Sequence, residues 1–135
     1  MAKEENLRKV QIIAQAYYAR KDIQEAIYNF CKNRETVPNY NQEFFGKRPD
    51  ALDYPTDIFS AVKDGATSFH CSEELWENPL AISTSMSEEK YNEQRIGWDF
   101  LIDIDSKYFD YSKIAAKLII KKIEENTKQL EQKSY

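Results

Sequence analysis

Residues 98–105 read Trp-Asp-Phe-Leu-Ile-Asp-Ile-Asp, and this stretch is the best strand candidate in the chain. Side chains of a β-strand alternate between its two faces, so residues two apart share a face. Phe100 and Ile102 would therefore lie on one face. Asp103 and Asp105 would lie on the other, about 7 Å apart along the backbone. The pattern predicts a strand that packs on a core by its apolar face and carries an aspartate pair on the opposite face.

An aspartate pair of this kind is suited to a divalent metal. Carboxylates that share a face repel one another unless positive charge lies between them. Mg²⁺ and Mn²⁺ prefer hard oxygen ligands, and two-metal phosphoryl transfer uses carboxylates to hold them. The alternative is a solvated strand end, where Asp103 and Asp105 bind nothing. The pattern leaves both interpretations open. The apolar run before the pair favours a ligand, because a buried strand tolerates carboxylates only where they are paired or coordinated.

The composition is that of one folded domain. The 135 residues are 41% hydrophobic and 13% aromatic, which exceeds what a disordered chain contains. The formal net charge is −4, so contact with nucleic acid would require a local basic patch. The sequence has no run of 18 apolar residues, and it begins with mostly polar ones. We therefore expect neither a membrane span nor a secretory signal, and we expect a cytoplasmic location.

The sequence contains two cysteines, Cys31 and Cys71, and one histidine, His70. Two widely separated thiols form neither a disulfide framework nor a four-ligand zinc site, so we expect both to be reduced. His70 and Cys71 are adjacent, and adjacent strand residues point to opposite faces. A structural role is therefore favoured for His70 over a role as a metal ligand.

Helical and extended patterns alternate along the chain, which predicts a mixed α/β fold. We expect N-terminal helices, then a small sheet that contains the Asp-x-Asp strand, then a C-terminal helix. A single domain would cover residues 1–124, and a polar tail would cover 125–135. The expected elements are helices over 4–19, from Asp22 to Phe30, over 56–63 and over 88–95, a strand over 66–71, a helical turn over 72–76 and a last helix capped by Ser112.

The motifs around the aspartate pair resemble the small catalytic subunit of archaeo-eukaryotic DNA primases, especially the archaeal members. The family's strand is an apolar run that ends in Asp-hydrophobic-Asp, and Phe100–Asp105 matches it. Gly97 and Trp98 match the step before that strand. Upstream segments follow in the same order: Gly46–Asp50 within Phe45–Pro55, Gly65–His70, and Glu74–Pro79. The resemblance extends over about residues 17–123 and implies the front part of the primase catalytic core.

The resemblance implies template-directed synthesis of a short RNA or DNA primer from nucleoside triphosphates. Asp103 and Asp105 would be catalytic metal ligands, with Mg²⁺ or Mn²⁺ as the cofactor and a DNA template as a partner. In the family, a Ser-x-His motif that contacts nucleotide phosphates and a third metal carboxylate follow the Asp-x-Asp strand. The stretch Ser106–Tyr135 reads instead as a loop, one helix and a polar tail.

These departures predict an incomplete site. His70 precedes the aspartate pair, so it does not replace the family histidine. We expect catalysis to need a protein partner, such as a second primase chain that carries the remaining motifs. One alternative is a non-catalytic primase-derived module that binds a replication partner or nucleic acid. Another is a chance likeness in a structural or interaction domain.

Three cations are candidates for contact with nucleotide phosphates. Lys47 and Arg48 lie in a loop bounded by Gly46 and Pro49, where they would meet a phosphate. The alternative for both is a solvated charged turn. Arg95 falls just before the aspartate stretch and would balance its charge or touch a nucleotide. It would equally complement the C-terminal end of the preceding helix.

Overall fold

Helices and short antiparallel strands are interspersed along the chain, which confirms the expected mixed α/β class. The computed structural model describes residues 1–133. It contains two compact units, one over Met1–Asp99 and a second that begins at Phe100. Residues 134 and 135, the end of the expected polar tail, lie outside the described residues. Within residues 1–133, no helix has both the length and the apolar character of a membrane span.

Two helices open the first unit. Helix α1 covers Ala2–Tyr18 and helix α2 covers Lys21–Phe30. Arg20 between them has an extended backbone, with φ −70° and ψ 124°, so the chain turns here and the two helices are separate. The buried amide of Gln24 donates to the carbonyl oxygen of Tyr18 at 2.7 Å, and this hydrogen bond fixes the corner.

A three-stranded antiparallel sheet follows, with β1 (Thr36–Tyr40) between β2 (Phe44–Phe45) and β3 (Ala66–Cys71). Helix α3 (Thr56–Lys63) precedes β3. Both α3 and β3 have the bounds that the sequence predicts. Gly65 links them with a φ of 105°, a conformation that residues with a Cβ rarely adopt. The core lies where α1 and α3 cover this sheet, around Ala14, Val62 and Ala66.

A second, two-stranded sheet pairs β4 (Glu74–Trp76) with β5 (Arg95–Trp98). The prediction of a helical turn over 72–76 is therefore wrong, because pairing with β5 holds the segment extended. Between the strands lie a 3-10 turn at Pro79–Ala81 and helix α4 (Glu88–Gln94). Ser87 caps α4 as predicted, since its hydroxyl accepts a hydrogen bond from the Lys90 amide at 3.4 Å.

The prediction of a strand over Trp98–Asp105 is wrong beyond Trp98. The Asp99 amide makes the last cross-strand hydrogen bond, to the carbonyl oxygen of Glu73 at 2.9 Å. The segment that pairs with β5 begins at Glu73, and the residues before it belong to β3 in the other sheet. The residues after Asp99 therefore have no neighbouring strand to hydrogen-bond with. Residues 100–105 have no regular secondary structure.

The second unit contains one long helix within its described residues. Helix α5 covers Phe109–Lys133, so it begins before Ser112, the residue expected to cap it. It also continues through residues 125–133, which the sequence predicted as a polar tail. Glu, Lys and Gln are good helix formers, and they sustain the helix after the apolar pattern weakens.

Candidate functional site

The aspartate stretch is anchored where it leaves the first unit. The guanidinium of Arg34 donates to both carboxylate oxygens of Asp99, at 2.7 and 3.0 Å. Arg34 also donates to the carbonyl oxygens of Phe30 at 2.9 Å and Ser72 at 3.0 Å. Its guanidinium lies 4.5 Å from the centre of the Phe30 ring. One buried arginine therefore connects the end of α2, the end of β3 and the residue after β5.

The Arg34–Asp99 pair is a charge-assisted, two-pronged contact. The Arg34 side chain is 7% exposed and that of Asp99 is 40% exposed. The hydrogen bonds from Arg34 hold the pKa of Asp99 below its ordinary range, and the pKa of Arg34 is raised by the same contact. The Asp99 carboxylate is therefore paired with Arg34, whereas Asp103 and Asp105 are not paired in this way.

Asp103 and Asp105 lie in the second unit, and both are exposed. Within residues 1–133, neither carboxylate takes part in a hydrogen bond or an ion pair. Both offer hard oxygen donors, which match Mg²⁺ and Mn²⁺ in kind. Two carboxylates are too few to enclose a metal ion by themselves. The described part of the chain contains no cluster of three or more His, Cys, Asp or Glu side chains that could do so.

Arg48 is paired within the first unit. Its guanidinium donates to both carboxylate oxygens of Glu35, at 2.8 and 2.7 Å, although the Arg48 side chain is 64% exposed. The pair borders a cavity of about 430 Å³, which is also lined by Pro49, Ile82, Ser83, Thr84 and Tyr91. Lys47 is exposed and forms no ion pair with the residues described. This loop thus combines one neutralised and one unpaired cation.

Arg95 is held in a cage of aromatic rings. Its guanidinium lies 4.0 Å from the centre of the Trp98 ring and 5.1 Å from the centres of the Trp76 and Tyr91 rings. It also donates to Glu74 at 3.0 Å and to Asn92 at 2.7 Å. Arg95 is the C-cap residue of α4, which is the position expected if it complements the C-terminal end of that helix. Its side chain is 15% exposed, so little of its charge faces solvent.

The three cations proposed from the sequence belong to the first unit, and the two aspartates belong to the second. Tyr91 connects two of the cations, since it borders the cavity beside Arg48 and contacts Arg95. Sequence reasoning missed the pairings Arg34–Asp99 and Arg48–Glu35. Their partners are 65 and 13 residues apart, and no periodic pattern connects such distant charges.

A scan of protein-family models, a search of curated proteins and a search of solved structures each find no match to this chain.

Proposed function

We propose that this chain is a primase-type nucleotidyltransferase module that acts in DNA replication. Asp103 and Asp105 would supply two of the ligands for a catalytic Mg²⁺ or Mn²⁺ ion. The observation that supports this best is the state of the two carboxylates. They end the stretch that resembles the primase motif, they are exposed, and no charged side chain within residues 1–133 pairs with them.

The two carboxylates indicate which type of metal ion this site would bind. Two carboxylates suit a hard divalent cation, and Mg²⁺ commonly binds through one or two carboxylates while it keeps several waters and contacts substrate phosphates. The remaining ligands would come from water, from the nucleotide and from a third carboxylate on another polypeptide segment. When bound, the metal would promote attack by a primer 3′-hydroxyl and stabilise the pyrophosphate that leaves.

Within this proposal, the residues before the pair have a positioning role. Arg34 clamps Asp99 at a fixed point, four residues before Asp103 in sequence. Asp99 is neutralised by Arg34, so it would not compete for the metal. The free amine of Lys47 would be the first candidate for contact with a template or nucleotide phosphate, since Arg48 and Arg95 already hold internal partners.

The second candidate function is a non-catalytic module that binds a protein partner. Helix α5 favours it, because this helix carries large apolar side chains that are more than half exposed: Phe109, Tyr111, Ile114, Leu118, Ile120 and Leu130. Exposed apolar surface of this extent is typical of an interaction site. The same surface would serve the first proposal if the partner were the chain that completes the active site.

Calorimetric titration with Mn²⁺ tests the proposed site. Wild type is compared with the double variant Asp103→Asn, Asp105→Asn. A matched control is the double variant Asp53→Asn, Asp64→Asn, which removes two exposed carboxylates elsewhere. We expect saturable binding in wild type and in the control, and at least a tenfold loss of affinity in the Asp103 and Asp105 variant. Equal binding in all three proteins would overturn the metal assignment.

Binding of single-stranded DNA separates the two functions. Fluorescence anisotropy with a labelled oligonucleotide is measured in EDTA and in Mn²⁺ with a nucleoside triphosphate. A primase-type module would bind more tightly in the second buffer, and the gain would vanish in the Asp103 and Asp105 variant. Identical affinity in both buffers would favour the non-catalytic module.

A further inference from the structure

Two thiols that are distant in sequence share one cavity. Cys31 is the C-cap residue of α2, and Cys71 is the last residue of β3. Both line a cavity of about 330 Å³, together with Ile27, Phe30 and Phe69. Both thiols are free, and they differ sharply in access, since Cys31 is 7% exposed while Cys71 is open to solvent.

The sheet register explains why the thiols meet. Cys71 is the direct partner of Thr36 across the antiparallel ladder, so the two side chains lie on the same face. Thr36 is 1% exposed, and its side chain is close enough to Cys31 to affect the pKa of that thiol. Burial is the main cause that raises the pKa of Cys31, and the nearby Cys71 side chain raises it further. The two cysteines therefore lie on either side of Thr36 and line the same cavity.

We propose that Cys31 and Cys71 form a reversible dithiol–disulfide pair that is oxidised by hydrogen peroxide or another small peroxide. Cys71 would be the residue that meets the oxidant, because it is exposed. Cys31 would be the resolving thiol, because it is sheltered from the oxidant and lines the same cavity as Cys71. This inference is independent of the proposed nucleotidyl transfer and uses none of its residues.

The reaction balances with one peroxide. The sulfur of Cys71 attacks one peroxide oxygen and the O–O bond breaks. Cys71 becomes a sulfenic acid, and the second oxygen leaves as water with the thiol proton. The sulfur of Cys31 then attacks the sulfur of Cys71, the S–S bond forms and the S–O bond breaks. The departing oxygen takes the Cys31 proton and leaves as a second water, so two thiols lose two electrons in total.

Mass spectrometry of the full chain tests the pair. The reduced protein is treated with hydrogen peroxide, alkylated under denaturing conditions and mapped without reduction. We expect the mass to fall by two hydrogens, both alkylation sites to be lost, and the peptide of Cys31 to be linked to that of Cys71. A dithiol reductant should restore both alkylation sites. Sulfinic acid on Cys71 with Cys31 still open to alkylation would overturn the proposal, as would dimers linked through Cys71.

Two variants assign the roles. In Cys31→Ser, Cys71 should oxidise onward to the sulfinic acid, because no resolving thiol remains. In Cys71→Ser, Cys31 should stay reduced at the same peroxide dose. If Cys31→Ser does not fold, as judged by circular dichroism, the wild-type map remains decisive. Rapid oxidation of Cys31 in Cys71→Ser would contradict the assigned order.

Discussion

Arg34 and Asp99 form a bidentate ion pair, with N–O distances of 2.7 and 3.0 Å, at the boundary where the first compact unit ends. The arginine is buried and also satisfies the carbonyl oxygens of Phe30 and Ser72. Three segments that are far apart in sequence therefore depend on one guanidinium. The last residue of the first unit is held in place by this pair.

Arg34→Met should destabilise the chain by about 2–3 kcal/mol, because it leaves two carbonyl oxygens and a carboxylate without their donor. The free energy of unfolding in urea measures the loss. Arg20→Met is the matched control, since Arg20 forms an exposed ion pair with Asp22 and should change stability little. Equal effects from the two variants would contradict the role assigned to Arg34.

The Arg34–Asp99 pair should also make stability depend on pH. The pKa of Asp99 in the folded chain lies below its ordinary value of 3.8. A lowered carboxyl pKa contributes stability that is fully present above 3.8 and is lost as the pH falls through the folded value. The difference in unfolding free energy between wild type and Asp99→Asn should therefore be constant near neutral pH and shrink below 3.8. A difference that grows with acidification would contradict this assignment.

Arg95→Lys should lower stability by about 1–2 kcal/mol, although the charge is retained. A lysine ammonium would lose the planar stacking on Trp98 and the paired contacts to Glu74 and Asn92. Urea unfolding followed by tryptophan fluorescence reports the change directly, because Trp98 contacts the substituted group. Arg8→Lys, at an exposed position on α1, should leave the unfolding midpoint unchanged.

Ile58→Ala should cost about 3 kcal/mol, because Ile58 is completely buried on α3 and the shorter side chain leaves a cavity. Ile12→Ala on α1 removes the same atoms from a side chain that is 58% exposed, and it should have a small effect. Thermal unfolding measures the loss of stability in each variant, and both substitutions remove the same side-chain volume. A larger loss from Ile12→Ala would contradict the difference in burial between the two side chains.

The double variant Asp103→Asn, Asp105→Asn should unfold within about 0.5 kcal/mol of wild type. Neither side chain holds a hydrogen bond or an ion pair within residues 1–133, so no internal contact is lost. Urea unfolding without metal is the measurement. A marked destabilisation would mean that the carboxylates support the fold, and the loss of Mn²⁺ binding would then have a structural cause.

Sequence patterns predict the elements that depend on neighbouring residues alone. The helices over the first thirty residues follow apolar spacing. The bounds of α3 and β3 follow from the proline and glycine that flank them, Pro55 and Gly65. The cap by Ser87 follows from side-chain chemistry.

The errors occur where distant pairing decides. Residues 98–105 have the composition of a strand, yet a strand forms only where a neighbouring segment offers hydrogen-bond partners. The last such partner here is the carbonyl oxygen of Glu73, just before β4. The prediction of a helical turn over 72–76 is wrong for the same reason, because the pairing of Glu74–Trp76 with β5 is not visible in those residues alone. The metal role of Asp103 and Asp105 stays a prediction.

The hairpin between Trp76 and Arg95 offers a practical opening for engineering. These two residues pair across β4 and β5, so residues 77–94 leave and return at one place. A hydrogen bond from the Glu77 amide to the Gln94 carbonyl at 2.8 Å closes the base of the excursion. Ser83, Thr84 and Ser85, near the middle of this segment, are exposed. Because paired residues close the base of this segment, a reporter peptide inserted after Ser85 should leave the strand register, and the position of Asp99, unchanged.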